Sequence, residues 1–365
     1  MAQSGEPAAG GRPSRRRLVA RTLLAVAVIA AVYLGVLPRL VDVDQVWATL
    51  RAMTWLELVT LLLAAVWNLL SYLLPQLAAL PGLSLRQAVL ESHSSTAVGN
   101  LLPAGQAVGL GVTYRFYNSY GFGNGPITLS LLIQGMWNNF VKLGMPIVAL
   151  GLLVVAGDAA GELAPAAVVG LVIFVLALAG FAFGLSGERR AARLGGALAN
   201  AAAWLRRLLR RPGRPDWDRG AVAFRAQAVT LLRDRWHWLT LTTLASHLSL
   251  FLVLLLALRH VGVSESEVSW AEALAAFALV RLLSAVPITP GGLGVVELGL
   301  AAALVLAGGD NAQVVAAVLV FRLLTLVLPI PIGALTWWLW RRGTWYPSQR
   351  PVAAGEERGW AGRRS

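Results

Sequence analysis

The chain has 365 residues, 57% of them hydrophobic and 13% charged, with a mean hydropathy of +0.66; soluble domains carry about 25% charge, so the composition predicts a membrane protein. The 31 Lys and Arg against 18 Asp and Glu leave a net +13 and a pI near 11.3, which in a soluble chain would suggest nucleic acid. Cysteine is absent and only four His occur, which excludes disulfides, thiolate metal sites, haem attachment and a Cys nucleophile and gives no reason to expect a metal or other cofactor.

Residues 1–14 are rich in Gly, Pro, Arg and Ser and read as a disordered tail. A spanning helix needs about 20 mostly apolar residues, and the first candidate runs from Leu18 to Leu37 behind Arg15, Arg16 and Arg17. It is longer than a signal h-region and lacks a convincing A-x-A site before Pro38, which predicts a retained anchor. In the loop that follows, Asp44 fits the N-cap of a short amphipathic helix from Gln45 to Met53. Further full spans are predicted at Trp55 to Leu80, Ile127 to Val155, Ala166 to Leu185, Trp236 to Leu258 and Ala312 to Trp340. Two other apolar stretches, Leu83 to Asn118 and Val268 to Leu306, are too long for one helix, and each is broken near its middle by Pro and Gly.

From Ser186 to Arg235 there are 12 Arg and 4 acids, a net +8; residues 1–17 carry +3 and residues 341–365 carry +4. These three segments hold more than the whole excess, so the basicity records topology and nucleic acid is not expected. The positive-inside rule places both termini and the basic loop 186–235 in the cytoplasm of a multi-pass protein of the plasma membrane. Parity then holds only if each broken stretch returns to the side it left, so both are predicted to be re-entrant hairpins. Within the basic loop, Arg193 to Leu209 alternates Arg with Leu, Ala and Trp204. It reads either as a solvated connector or as a helix lying on anionic headgroups. Residues 345–365 again read as a disordered tail.

The fold class predicted is therefore all-α and polytopic, with about six full spans plus two broken hairpins. The hairpins enter from opposite sides, and each precedes a long span with a cation and a later proline: Lys142 with Pro146, and Arg322 with Pro329. That layout implies an inverted repeat, with halves at about 55–155 and 236–340 inside a transmembrane domain over 18–342. Transporters of several folds are built this way and hold substrate near the midplane where helices break. Arg281 and Glu297 are each eight residues from Thr289, and Glu91 and Arg115 are each twelve from Pro103, so each set could form an ion pair between hairpin arms. Glu91 or Glu297 could alternatively carry a proton, and Lys142 and Arg322 lack an acid nearby in sequence. His93 and His247 read as hydrogen-bonded core residues.

The run Asn100-Leu-Leu-Pro103-Ala-Gly105 through Tyr114-Arg115, the cluster Trp137-Asn138-Asn139-Phe-Val-Lys142-Leu-Gly-Met-Pro146, and above all Pro290-Gly291-Gly292-Leu-Gly294-Val-Val-Glu297 resemble the lysylphosphatidylglycerol synthase transmembrane, flippase-like family, over roughly residues 18–342. The resemblance implies a stand-alone member without the synthase domain that some relatives carry, and a role in moving lipid between leaflets. The candidate substrate-binding residues are Asn100, Pro103, Arg115, Asn139, Lys142, Arg281, Pro290, Gly291, Gly292, Gly294, Glu297 and Arg322. The expected function is a non-enzymatic lipid translocase acting on a membrane phospholipid or a polyprenyl-phosphate lipid, with anionic headgroups at the cytoplasmic face; homo-oligomerisation stays open. No G-x-x-x-x-G-K-[ST] motif occurs, so transport would be passive or ion-coupled. Two alternatives are a polyprenyl-phosphate-sugar glycosyltransferase using the acidic pair Asp42 and Asp44, and a non-transporting partner of a lipid-modifying synthase.

Overall fold

A computed structural model describes residues 47–48, 51–102, 105–156, 164–208, 217–284 and 292–343. Among them every regular element is helical. Five helical segments are long and apolar enough to cross a membrane: Trp55–Ala79, Asn124–Val155, Val168–Leu185, Arg219–His260 and Asn311–Arg342. They coincide with five of the six predicted spans. The sixth, at Leu18 to Leu37, lies outside the described residues, as do both predicted tails and the Asp42 and Asp44 pair.

The first span is built from α1 (Trp55–Ser71) and α2 (Leu73–Ala79). It breaks at Tyr72 because Pro75 has no N–H for the Ser71 carbonyl one turn back. Next come α3 (Leu85–Leu101) and α4 (Gly105–Ser119), the arms of the first hairpin, and the long span α5 (Asn124–Ala156). Helix α6 (Ala164–Leu185) leads to α7 (Glu188–Leu208) and α8 (Trp217–His260). The second hairpin is α9 (Trp270–Leu283) and α10 (Val295–Leu306). The last span is α11 (Asn311–Arg322), a π turn at Leu323–Val327, and α12 (Pro329–Arg342).

The longest hairpin arm has 17 residues, about 26 Å at 1.5 Å per residue, short of the roughly 30 Å hydrocarbon core. Both hairpins begin with the same device. Ser84 accepts from the Gln87 N–H while Gln87 Oε1 accepts from the Ser84 N–H, and Ser269 and Glu272 make the same reciprocal pair. The halves interlock by exchange: α3 of the first hairpin packs on α12 of the second half, and α9 of the second hairpin packs on α5 of the first. Gly333 makes the first contact close. A Cβ there would lie 2.2 Å from the His93 carbonyl oxygen and 2.4 Å from the Ala97 Cβ, and Ser94 Oγ and Thr336 Oγ1 share a hydrogen bond of 3.0 Å beside it.

The basic loop is helical, as one of its two predicted forms has it, and it also packs on the rest of the protein. It is a helical hairpin in which α7 packs along the first half of α8, with Ala191, Ala199 and Ala203 of α7 buried. A Cβ on Gly195 would meet the Trp217 carbonyl oxygen at 2.6 Å. The small residues spaced along the basic sequence thus serve protein packing, while Leu198 and Trp204 remain exposed. Helix α8 has 44 residues and is about 66 Å long, so it extends well beyond a bilayer's thickness. The outer surface of α6 exposes Val168, Val169, Val172, Val175 and Leu176, an apolar face that belongs in lipid.

Candidate functional site

Where the two hairpins meet the spans they exchange with, a cavity of about 500 Å³ opens. Its walls come from both halves. Helix α3 supplies Ser92, His93, Thr96 and Asn100; α5 supplies Asn138, Asn139 and Lys142; α9 supplies Arg281 and its C-cap Ser284; and α11 with the π turn supplies Arg322 and Thr325. Among the described residues three cations line it and no carboxylate does.

The cations are held differently. Arg322 is buried and its Nε donates to Glu297 Oε1 at 2.7 Å. Glu297 Oε2 accepts from the Gly294 N–H at 2.8 Å, so the carboxylate also caps α10, where negative charge is favoured. Gly294 has φ +80° and Gly292 φ +70°, a left-handed backbone that glycine adopts without steric cost. Lys142 of α5 and Arg281 of α9 both line the cavity, one from each half. The ion pairs among the described residues are Arg322 with Glu297 and Arg259 with Glu265, so neither Lys142 nor Arg281 has an acid there. The Arg281 Nε is buried with no hydrogen-bond partner among the described residues. A charge at membrane depth costs several kcal/mol. Two such cations on one cavity, brought from opposite halves, favour an anionic occupant.

The backbone around the cavity is irregular for a definable reason. Pro146 has no N–H for the Lys142 carbonyl, and Pro329 has none for the Thr325 carbonyl, each one turn back; both Lys142 and Thr325 line the cavity. In the second case the helix widens into the π turn, with Leu328 N donating to the Leu323 oxygen at 2.8 Å. Asn100 Nδ2 donates to the Leu326 carbonyl at 3.1 Å and so ties the tip of the first hairpin to this turn.

Of the residues predicted from sequence, Asn100, Asn139, Lys142, Arg281, Gly292 and Arg322 line the cavity. Pro103, Pro290 and Gly291 lie outside the described residues. Gly294 and Glu297 stand behind the wall and hold α10 and Arg322 in place. Arg115 is elsewhere: it is exposed and its guanidinium lies 5.4 Å from the Trp340 ring centre and 6.0 Å from that of Trp337, a cation–π arrangement. Both ion pairs expected between hairpin arms are corrected. Glu297 pairs with Arg322 and not Arg281: α10 packs on both α9 and α11, and it is α11 that presents a guanidinium to its first turn. Glu91 accepts from the Thr113 and Tyr117 hydroxyls while Arg115 points away from it, over the two Trp rings.

Sequence reasoning missed Ser92, His93 and Thr96 as lining residues. A signal existed, since Ser92, Thr96 and Asn100 recur every four residues and therefore share one face of α3. His93 is buried on the cavity wall, whereas His247 bonds the Thr243 carbonyl through Nδ1 at 3.0 Å. No group of three His, Cys, Asp or Glu that could hold a metal occurs among the described residues.

Comparison with known proteins gives one informative match. The family model described as the lysylphosphatidylglycerol synthase TM region matches residues 22–333, which includes both hairpins and every cavity residue named above. No curated protein matches the chain.

Proposed function

The chain belongs to the lysylphosphatidylglycerol synthase TM-region family, a membrane family connected with lipid handling, and from that premise we propose that it is a lipid translocase rather than an enzyme, moving a phosphate-bearing lipid between leaflets. The observation that carries the reading is the pair Lys142 and Arg281, two cations without an acid among the described residues, on one polar cavity between oppositely derived hairpins. A phosphodiester brings the missing negative charge. An Arg guanidinium offers it parallel N–H donors and a Lys ammonium a compact charge, while the acyl or prenyl chain stays in the hydrocarbon beside the apolar outer faces. Binding in the midst of two packed hairpins also gives the phosphate a place to leave water at both membrane surfaces, the step that makes unassisted crossing slow.

The same reading places the protein in the plasma membrane with both termini, α7 and the first part of α8 to residue 235 cytoplasmic, where the Arg side chains of α7 would meet anionic headgroups. The test is translocation of a headgroup-labelled phospholipid in liposomes containing the purified protein. Lys142→Ala and Arg281→Ala should each slow it by on the order of tenfold, the equivalent of one charge-assisted hydrogen bond. Equal rates in the wild type, both variants and protein-free liposomes would sink the proposal.

A further inference from the structure

On the other side of α3 lies a second chamber, of about 230 Å³, whose walls include Gln76 of α2, Glu91 and Ser95 of α3, Thr113 and Tyr117 of α4, and Gln134 of α5. Thr96 and Asn100 belong to the walls of both chambers. Glu91 is 1% exposed, and the groups that face it are neutral. Its Oε1 accepts from Thr113 Oγ1 at 2.5 Å and its Oε2 from the Tyr117 hydroxyl at 3.3 Å. Among the described residues Tyr117 is the one titratable side chain in direct contact. From α12, which packs on α3, the cations are Arg341 and Arg342, exposed in its last turn; Arg115 of α4 lies over Trp337 and Trp340; and Lys142, Arg281 and Arg322 line the other cavity.

The Thr113 hydroxyl has one hydrogen and two acceptors in range, Glu91 Oε1 and the Gly109 carbonyl at 3.1 Å. When Glu91 is a carboxylate, that hydrogen must go to it. When Glu91 is a carboxylic acid, it donates to Thr113 Oγ1 and the threonine hydrogen turns to Gly109. Gain of one proton is thus absorbed by reversing one hydrogen bond, with no heavy atom displaced. Glu297 has no such freedom, because each of its oxygens accepts from an N–H donor that cannot reverse, Arg322 Nε and the Gly294 N–H.

We propose that Glu91 is a proton-carrying site, loaded through its own chamber and coupled across α3, by way of Thr96 and Asn100, to occupancy of the cation-lined cavity. This rests on the translocase reading for the coupling, but not for the proton site itself. Infrared difference spectra of the purified protein between acid and alkaline pH should contain a carboxylic-acid carbonyl band that is absent in Glu91→Gln and insensitive to sodium. Thr113→Val, which removes the relay hydroxyl and keeps the shape, should move the pH at which the band forms. A band that survives in Glu91→Gln, or whose midpoint Thr113→Val leaves in place, overturns the site. In liposomes, an imposed gradient should shift the steady-state inner-to-outer ratio of a headgroup-labelled phospholipid by up to about tenfold per pH unit for one proton per lipid, and Glu91→Gln should abolish the shift. A response to a sodium gradient at constant pH, or an unchanged pH response in the variant, overturns the coupling. A wild type that moves no lipid overturns the translocase reading while the infrared arm still decides the site.

Discussion

The two hairpins each bury one glutamate almost completely, Glu91 at 1% and Glu297 at 3% exposure, and use it in opposite ways. Glu297 sits at the start of α10 with a guanidinium on one oxygen and a backbone N–H on the other. Glu91 sits mid-helix in α3 among hydroxyls and amides. The difference lies in the partners' chemistry, since the residue type and depth of burial are shared. A cationic partner fixes the negative charge, whereas hydroxyls, which both donate and accept, suit a carboxyl that gains and loses a proton.

The largest test of this contrast is truncation. Arg322→Ala leaves Glu297 buried without its counter-charge and should lower stability by about 3–5 kcal/mol, measured by unfolding in detergent. Glu297→Gln should likewise be clearly destabilising, whereas Glu91→Gln, which keeps the shape and a hydrogen-bonding end among neutral partners, should cost under about 1 kcal/mol. The reverse ranking would break the comparison.

Packing of the two hairpins gives the next effect. A Cβ on Gly333 meets backbone of α3, which cannot rotate away, so Gly333→Ala should cost about 1–3 kcal/mol. On Gly299 of α10 the nearest obstacle is the Val280 side chain at 3.1 Å, which can give slightly, so Gly299→Ala should cost less than about 1 kcal/mol. Equal melting temperatures for the two variants would contradict this. Asn100→Ala removes the donor to the Leu326 carbonyl and should cost about 1 kcal/mol, read as faster amide exchange confined to residues 323–331.

The smallest expected effect concerns how each hairpin begins. The turn leading into the second one contains Glu267, whose carboxyl is held below its ordinary value by the Ser264 backbone N–H and then by the Ser264 hydroxyl. A depressed value in the folded state means that this contact stabilises the turn above the ordinary carboxylate range and is lost as the pH falls through the folded value. The first hairpin begins with the neutral Gln87. Acidification should therefore lower the amide protection factors at 264–268 and leave those at 84–88 unchanged, and Glu267→Gln should remove the difference.

Much of the fold was legible in the chain because spanning helices are specified by a local property, the length of an apolar run. Trp55 to Leu80 and Ala312 to Trp340 were found this way, as were both broken stretches, through Pro and Gly. Serine followed three residues later by Gln or Glu marks the start of both hairpins, at Ser84 and Ser269. The candidate site was only partly legible. Equal spacing from a turn suggested that Arg281 faces Glu297 and Arg115 faces Glu91, but spacing along one hairpin says nothing about which neighbouring helix arrives on its open side. Helix α11 brought Arg322 to Glu297, and α12 brought Trp337 and Trp340 to Arg115.

The sequence by itself determined that this is an all-helical membrane protein, where its basic segments lie, and which few charges sit within apolar stretches. Hydropathy and proline act within a helical turn or along one span, so they can be read residue by residue. The tertiary structure decided the pairing of those charges, the burial of the basic loop's alanines against α8, and the meeting of Lys142 with Arg281 from opposite halves. Each of these depends on helices remote in sequence exchanging partners, and the energies that choose among such partners, close packing at Gly333 and neutralisation of Glu297, arise only when both surfaces are in contact.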